Sequence, residues 1–363
     1  MLLYQIALTL IPNVGNKRAK DLIDYCGSAE AVFKEKNKNL LKIPSIGGNL
    51  SKSLKNPKEL LERAEKEVKF IEKYKIKALF YMNDDYPIRL KEAEDCPPLL
   101  YYRGNANLDN VKVLSIVGTR TATDYGKTLC KEIIKDLHYL NPLIVSGLAY
   151  GIDISAHKAA LDYKLETVAA LGHGLDTIYP YLHKNIAIRM LEENGGLLSA
   201  FPSETKPDKM NFPARNAIIA GLADCVLVVE SKNKGGALIT AGIANSYNRD
   251  VFAVPGKAGD VCSAGCNFLI KTNRAALVEN AEDIIQAMNW DIKEKKPKQA
   301  ELFYELNEDE LAIVEILKNN EEATIDFLAR HINLSYTRLA ELLLTMELNG
   351  IIRNLPGKIY KLN

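Results

Sequence analysis

Three glycine strings in this chain read as backbone built to receive anions. Ser115-Ile116-Val117-Gly118-Thr119-Arg120, Val145-Ser146-Gly147-Leu148-Ala149-Tyr150-Gly151-Ile152-Asp153 and Glu230-Ser231-Lys232-Asn233-Lys234-Gly235-Gly236-Ala237 each end an apolar run and lead toward a helix-length segment. Free amides at a helix start carry partial positive charge, and glycine lets a phosphate oxygen approach them closely. Arg120 adds a planar, permanently charged fork suited to the same ligand. Two further strings, Leu171-Gly172-His173-Gly174-Leu175-Asp176 and Val254-Pro255-Gly256-Lys257, have the same texture. So many phosphate-grade loops exceed what one mononucleotide needs, whereas a track of consecutive phosphates would use them all.

Beside them, Asp208-Lys209-Met210-Asn211-Phe212-Pro213-Ala214-Arg215-Asn216 puts an aromatic ring between Lys and Arg, just before an apolar helical stretch. That suits a stacked base whose backbone is held on either side. The alternative stays open at this level: Phe212 packs inward, and Arg215 and Asn216 brace the neighbouring loops.

The standard nucleotide motifs are missing. Seven residues separate Gly118 from Gly126-Lys127-Thr128, where a Walker loop has about four, and no GxGxxG follows the first strand. Acid-base chemistry has few carriers. His157 lies four residues after Asp153 at a helix start, and His173 sits in a glycine loop; both read more simply as structural histidines. No Ser-His-Asp order or two-metal carboxylate cluster stands out, which speaks against a nuclease. Cys262 and Cys266 are close, but no second pair of Cys or His completes a tetrahedral metal site. The six cysteines are otherwise scattered, as in a reducing cytosol rather than a disulfide framework.

Something must hold these loops in register. From Val111, short β-branched runs (VKVLSIV, PLIVSG, ETVAAL, GLLSA, DCVLVVE, DVFAVP) alternate with helix-length segments up to residue 290, which predicts a Rossmann-like, doubly wound and mainly parallel α/β sheet. In such sheets ligands bind beyond the carboxyl ends of the strands, where the glycine strings fall. Ahead of it, Ile11-Pro12-Asn13-Val14-Gly15 recurs as Ile43-Pro44-Ser45-Ile46-Gly47. This internal duplication predicts a helical module of SAM-like or helix-hairpin-helix type over residues 1–75. Residues 76–110, rich in Pro and Gly turns, read as a connector, and residues 291–303 as a charged linker. Residues 304–363 read as a winged helix: helices near 308–318, 324–330 and 336–349, then a hairpin turning at Pro356-Gly357.

The 363 residues carry a formal net charge of only +1, which excludes a uniformly basic coat for nucleic acid. The ends differ, with fifteen Lys or Arg against nine Asp or Glu in residues 1–75, and six against eleven in residues 301–363. Duplex binding needs cations to release counterions, so the acidic winged helix is expected to dock protein rather than read DNA. No run of about 18 apolar residues occurs, and the first residues lack a basic leader, so a cytosolic protein without a membrane span is expected.

Read together, IVGTR (116–120), SGLAYGIDISAH (146–157), ALGHGLDTIYP (170–180), NFPARNAIIAGLAD (211–224), ES…GGALITA (230–241) and VFAVPG (251–256) resemble the bacterial DNA-processing protein A family, also called Smf. The resemblance spans the whole chain. It implies a non-enzymatic binder of single-stranded DNA that protects incoming strands in natural transformation and hands them to the RecA recombinase. It further implies a homodimer through the Rossmann-like domain and no cofactor. Carried over by motif, the DNA-binding residues would be Gly118, Thr119, Arg120, Ser146, Gly147, Gly151, Lys209, Phe212, Arg215, Asn216, Gly235 and Gly236. One departure is Gly235-Gly236-Ala237-Leu238, where the family often has a serine-bearing loop, so only backbone amides are left there. The rival reading is a Rossmann-like nucleotide phosphoribohydrolase, whose PGGxGTxxE motif supplies a catalytic Glu; here no Glu follows Thr240. A pure protein adaptor would leave the phosphate cradles without a use.

Overall fold

The computed structural model describes residues 1–40, 42–43, 57–290, 306–320, 322–332, 334–355 and 357–362. The six apolar runs form β3 (Val113–Val117), β4 (Leu143–Ser146), β5 (Thr167–Leu171), β6 (Gly196–Ser199), β7 (Cys225–Val228) and β8 (Asp250–Ala253). Alternation along each strand sorts its side chains between two helical layers. Val113, Val117, Val145, Val226 and Val228 pack with Ile218, Ile219, Ala241 and Leu269 of helices Phe212–Leu222, Gly236–Ser246 and Ala264–Lys271. Leu114, Ile116, Ile144 and Leu227 pack on the other face with Cys130, Ile134, Ala156 and Ile284 of helices Asp124–Leu137, Ile152–Asp162 and Ala281–Met288. Both faces are covered, which is why these strands read as unbroken apolar runs.

The stretch expected as a connector does more than connect. It supplies β1 (Lys77–Phe80) and β2 (Leu99–Gly104), which extend the sheet at one edge, and β9 (Ala276–Leu277) closes the other. The order is β1-β2-β6-β5-β4-β3-β7-β8-β9, with β1–β2 and β2–β6 antiparallel and the rest parallel. Pro and Gly punctuation hid two short strands: Leu100, Tyr101 and Tyr102 are buried between turns. Those strands carry the helical N-terminal residues. Ile6, Leu8 and Leu22, from helices Leu2–Thr9 and Asn16–Cys26, share one core with Leu99, Tyr101, Ala169 and Leu197. Buried Glu67 ties helix Lys58–Tyr74 to the loop after β6 by accepting from Arg63 at 2.8 Å and from the Ser203 amide at 2.9 Å. Residues 1–291 accordingly form one compact unit rather than a module, connector and domain in series. Residues 44–47 of the internal repeat, and the linker 291–303, lie outside the described residues.

Residues 292–363 form the second unit. Helices Glu308–Asn320, Ile325–His331 and Tyr336–Leu348 enclose Ile313, Leu317, Leu328, Leu339 and Met346 beside a three-stranded sheet. That sheet runs β10 (Glu322–Thr324), β12 (Ile359–Leu362), β11 (Ile352–Leu355), all antiparallel, which is the expected winged helix. The hydroxyls of Thr324 and Ser335 start the second and third helices by accepting from Phe327 N and Arg338 N.

Candidate functional site

The chain builds β3 to β6 outward in one direction, then returns to lay β7, β8 and β9 on the other side of β3. The β3 and β7 loops therefore diverge and leave a crevice, as expected at a topological switch point. A cavity of about 340 Å³ occupies it. Its walls are Gly118, Thr119 and Arg120 after β3, Asp153, the Phe212, Arg215 and Asn216 side of one helix, and Lys232, Lys234, Gly235, Gly236 and Ala237 after β7.

Gly151 makes the first two loops fit. Its φ of +79° belongs to glycine, and a Cβ there would stand 2.0 Å from the Thr119 carbonyl oxygen. With Gly151 in place, Ile152 N donates to that carbonyl at 3.3 Å, so the start of helix Ile152–Asp162 holds Thr119 and Arg120 over the cavity. Gly147 makes room differently: a Cβ would fall 1.5 Å from Arg215 Nη1. It lines a smaller cleft beside the cavity rather than the cavity itself.

Arg215 and Asp153 form a buried pair at 3.7 Å, with side chains 8% and 7% exposed. Burial pushes the Asp153 carboxyl up, and the Arg215 guanidinium and the Ala149 and Gly147 amides draw it back. Burial likewise lowers Arg215, against the pull of Asp153. The pair is loosely closed, and among the described residues Arg215 Nε has no hydrogen-bond partner. A buried cation only half matched by its carboxylate keeps positive potential at the cavity wall.

Phe212 is half-buried, with the Arg120 and Arg215 guanidiniums 5.1 Å and 5.6 Å from its ring centre and Gly172 backbone against its edge. The ring thus orients both arginines. Lys209 is exposed in the turn that Asp208 closes onto Met210 N at 2.8 Å, and it lines an open groove with Arg120 and Phe212. Asn216 reaches the Gly236 carbonyl at 3.4 Å. Gly235 and Gly236 are exposed at the start of helix Gly236–Ser246, which has no side-chain cap, so its first amides face the cavity without a partner from their own cap residue.

The expected residues do not all present the same group. The Thr119 amide donates to the Glu230 carbonyl at 2.7 Å, and the Ser146 hydroxyl to the Ile116 carbonyl at 2.6 Å, so both are committed inside the fold. Ser146 is fully buried and lines neither opening. Sequence reasoning singled out neither Asp153 as Arg215's partner nor Lys232 and Lys234 as cavity cations. The lysines had a signal, since they flank the glycines after β7. Asp153 had none, because its partner lies far away in sequence.

Of the two histidines weighed for acid-base chemistry, His173 lines the smaller cleft with its Nδ1 2.9 Å from the Gly174 carbonyl oxygen, and His157 lines neither opening. Thr167 Oγ1 donates to the Ile144 carbonyl at 2.9 Å, so it must accept from His157 Nδ1 at 2.7 Å, which places a proton on that ring nitrogen. Burial lowers that imidazole to about 3. The Glu230 carboxylate is taken by the Thr123 amide at 2.9 Å and by the Thr123 hydroxyl, where it starts helix Asp124–Leu137. Thr240 donates back to the Gly236 carbonyl at 3.1 Å. Among the described residues no group of three or more His, Cys, Asp or Glu is placed to hold a metal. Cys266 is a packed thiol, pushed up to about 12 by burial.

Known proteins resemble this chain in sequence and fold. The family model described as DNA recombination-mediator protein A matches residues 77–289, and a DprA winged helix domain model matches residues 294–358. Protein Smf of Escherichia coli is 36% identical over 281 residues, covering 76% of this chain and 75% of its own. The DNA processing protein DprA of Streptococcus pneumoniae is 37% identical over 267 residues, covering 69% and 92%. A crystal structure of the Streptococcus pneumoniae protein superposes with a TM-score of 0.64 at 33% identity, covering 79% of this chain and 98% of that one. The Helicobacter pylori DNA processing protein A, solved for its unique single-stranded DNA binding mode, superposes with a TM-score of 0.54 at 28% identity, covering 60% and 96%. With residues 77–289 and the winged helix both matched, this chain belongs to the DNA recombination-mediator protein A family.

Proposed function

We propose that this chain binds single-stranded DNA in the switch-point cavity, protects incoming strands, and passes them to RecA during transformation and recombination, as a homodimer and without a reaction of its own. The observation that carries the reading is the meeting of Arg120, Arg215, Lys232, Lys234 and an uncapped helix start around one cavity of about 340 Å³. Fixed cations and amides on one wall suit a phosphate backbone, and base identity is not read by such groups. The Helicobacter pylori relative, described as binding single-stranded DNA, supports the same ligand class. In this reading Gly118, Thr119, Gly147, Gly151 and Asn216 shape the cradle. Arg120, Lys209, Arg215, Gly235 and Gly236 meet phosphates, Phe212 aligns the arginines, and Ser146 acts only through the backbone it holds.

The test is fluorescence anisotropy of labelled oligothymidine across a salt series, with matched duplex as competitor. The single strand is expected to be preferred, and Arg120→Ala to weaken binding to all sequences alike while lowering the salt slope by about one. No binding of either strand by the wild type, or Arg120→Ala binding with unchanged affinity and slope, overturns the reading.

A further inference from the structure

The cavity opens onto more surface than it encloses. Beside it lie the smaller cleft, which includes Tyr150, His173 and Tyr179, and an open groove of about 420 Å³ that includes Tyr179 and Lys209. Arg120 and Phe212 wall all three openings, and Tyr179 walls the last two. The phosphate-grade wall is thus continuous with a pair of tyrosines.

Those tyrosines are placed to offer their rings. Tyr150 is 42% exposed and Tyr179 47% exposed. Tyr150 is held in place from one side: its ring meets the His183 ring edge-on at 4.9 Å, and His183 Nδ1 in turn reaches the Leu148 carbonyl at 2.7 Å. Phe212, the ring expected to stack a base, already has two guanidiniums over it and backbone at its edge. The aromatic surface left for a ligand is therefore that of Tyr150 and Tyr179, with Arg120 and Lys209 alongside as phosphate partners. Rings interleaved with cations along a groove are what a sequence-tolerant single-strand track requires.

We propose that Tyr179 and Tyr150 form a base-stacking platform that extends the strand's path beyond the cavity, so that the protein grips more nucleotides than the cavity holds. This rests on the reading of the cavity as a single-stranded-DNA site. The occupant is the continuation of the same strand: bases lie on the phenol rings while Arg120 and Lys209 take the phosphates between.

The experiment measures anisotropy of an oligothymidine length series with the full chain. Comparison is between wild type, Tyr179→Ala, Tyr179→Phe, Tyr150→Ala, and Tyr139→Ala as an exposed control outside these openings. Each platform alanine is expected to weaken binding roughly tenfold for long oligomers, little for the shortest that bind, and with an unchanged salt slope, since a ring is lost and no phosphate contact. Tyr179→Phe is expected to bind like wild type. Wild-type affinity of the Tyr179→Ala and Tyr150→Ala variants at every length overturns the platform while leaving the cavity reading intact. So does equal loss in Tyr179→Phe, which would assign the hydroxyl instead of the ring. Failure of the wild type to bind any oligomer would remove the cavity reading itself, and the platform with it.

Discussion

Two arginines show how differently the two units of this chain treat positive charge. Arg215 in the α/β unit is 8% exposed, and its carboxylate partner Asp153 stands at 3.7 Å, with the guanidinium's Nε unmatched among the described residues. Arg338 in the winged helix is 55% exposed and lies 3.3 Å from Glu341 on the next turn of the same helix. The first is fixed by the fold and only partly neutralised. The second is solvated and already paired with an opposite charge of similar exposure. A cation that is to meet a ligand phosphate must keep its potential and must not have to be ordered on binding. By that standard the switch-point cavity is prepared for an anion and the exposed face of helix Tyr336–Leu348 is not.

If the fold does hold Arg215 in place, removing it should be the most damaging change. Arg215→Ala leaves Asp153 buried beside the Gly147 and Ala149 amides without its cation, and loss of one member of a buried pair costs about 3–5 kcal/mol. Proton uptake by Asp153, favoured by its burial, offsets part of that loss. Urea unfolding of the first unit should therefore show a large drop in midpoint, and Arg215→Met with Asp153→Asn should recover part of it. A single variant as stable as wild type would mean that the pair is not a structural element.

Acid should expose the same contrast between a buried group and a solvated one. His157 is kept neutral in the fold, with its pKa lowered from 6.5 to about 3, while the unfolded chain takes a proton near 6.5. The unfolded state thus binds more protons between those values, so His157's contribution is present above 6.5 and is lost as pH falls below it. The slope is about 1.4 kcal/mol per pH unit, or about 2 kcal/mol between pH 6.5 and 5. Stability curves of wild type and His157→Gln over that range should diverge on the acid side, the variant losing less. Parallel curves would show that His157 is protonated without cost.

What the sequence revealed and concealed follows from the range of the interactions. The six central strands were legible because burial on both faces leaves unbroken apolar runs, and the glycine loops because phosphate-grade turns need Gly at fixed positions. The strands at 77–80 and 99–104 were not, because their partners are antiparallel neighbours distant in sequence and their flanks are dense in Pro and Gly. The same limit hid Asp153. Its pairing with Arg215 joins a helix start to another helix some sixty positions later, and only the missing Cβ of Gly147 brings them together. Phe212 lines the cavity, but a ring with Lys and Arg beside it in sequence has Arg120 and Arg215, not Lys209, over it in space. Tyr150 and Tyr179 lie within the strings 146–157 and 170–180, but exposure is not written in residue type.

The smallest effect expected is at Arg338, and it tests the comparison from its other side. An exposed pair three residues apart on a helix contributes about 0.2–0.5 kcal/mol, so Arg338→Ala should leave the winged helix folded and its thermal midpoint nearly unmoved. The same variant should leave the affinity for oligothymidine and its salt slope unchanged, because Glu341 already meets the cation's field and the unit around it is acidic. A slope reduced by about one unit in Arg338→Ala would show that the helix surrenders Glu341 to a phosphate, and exposure with a local counter-charge would then no longer separate the two arginines.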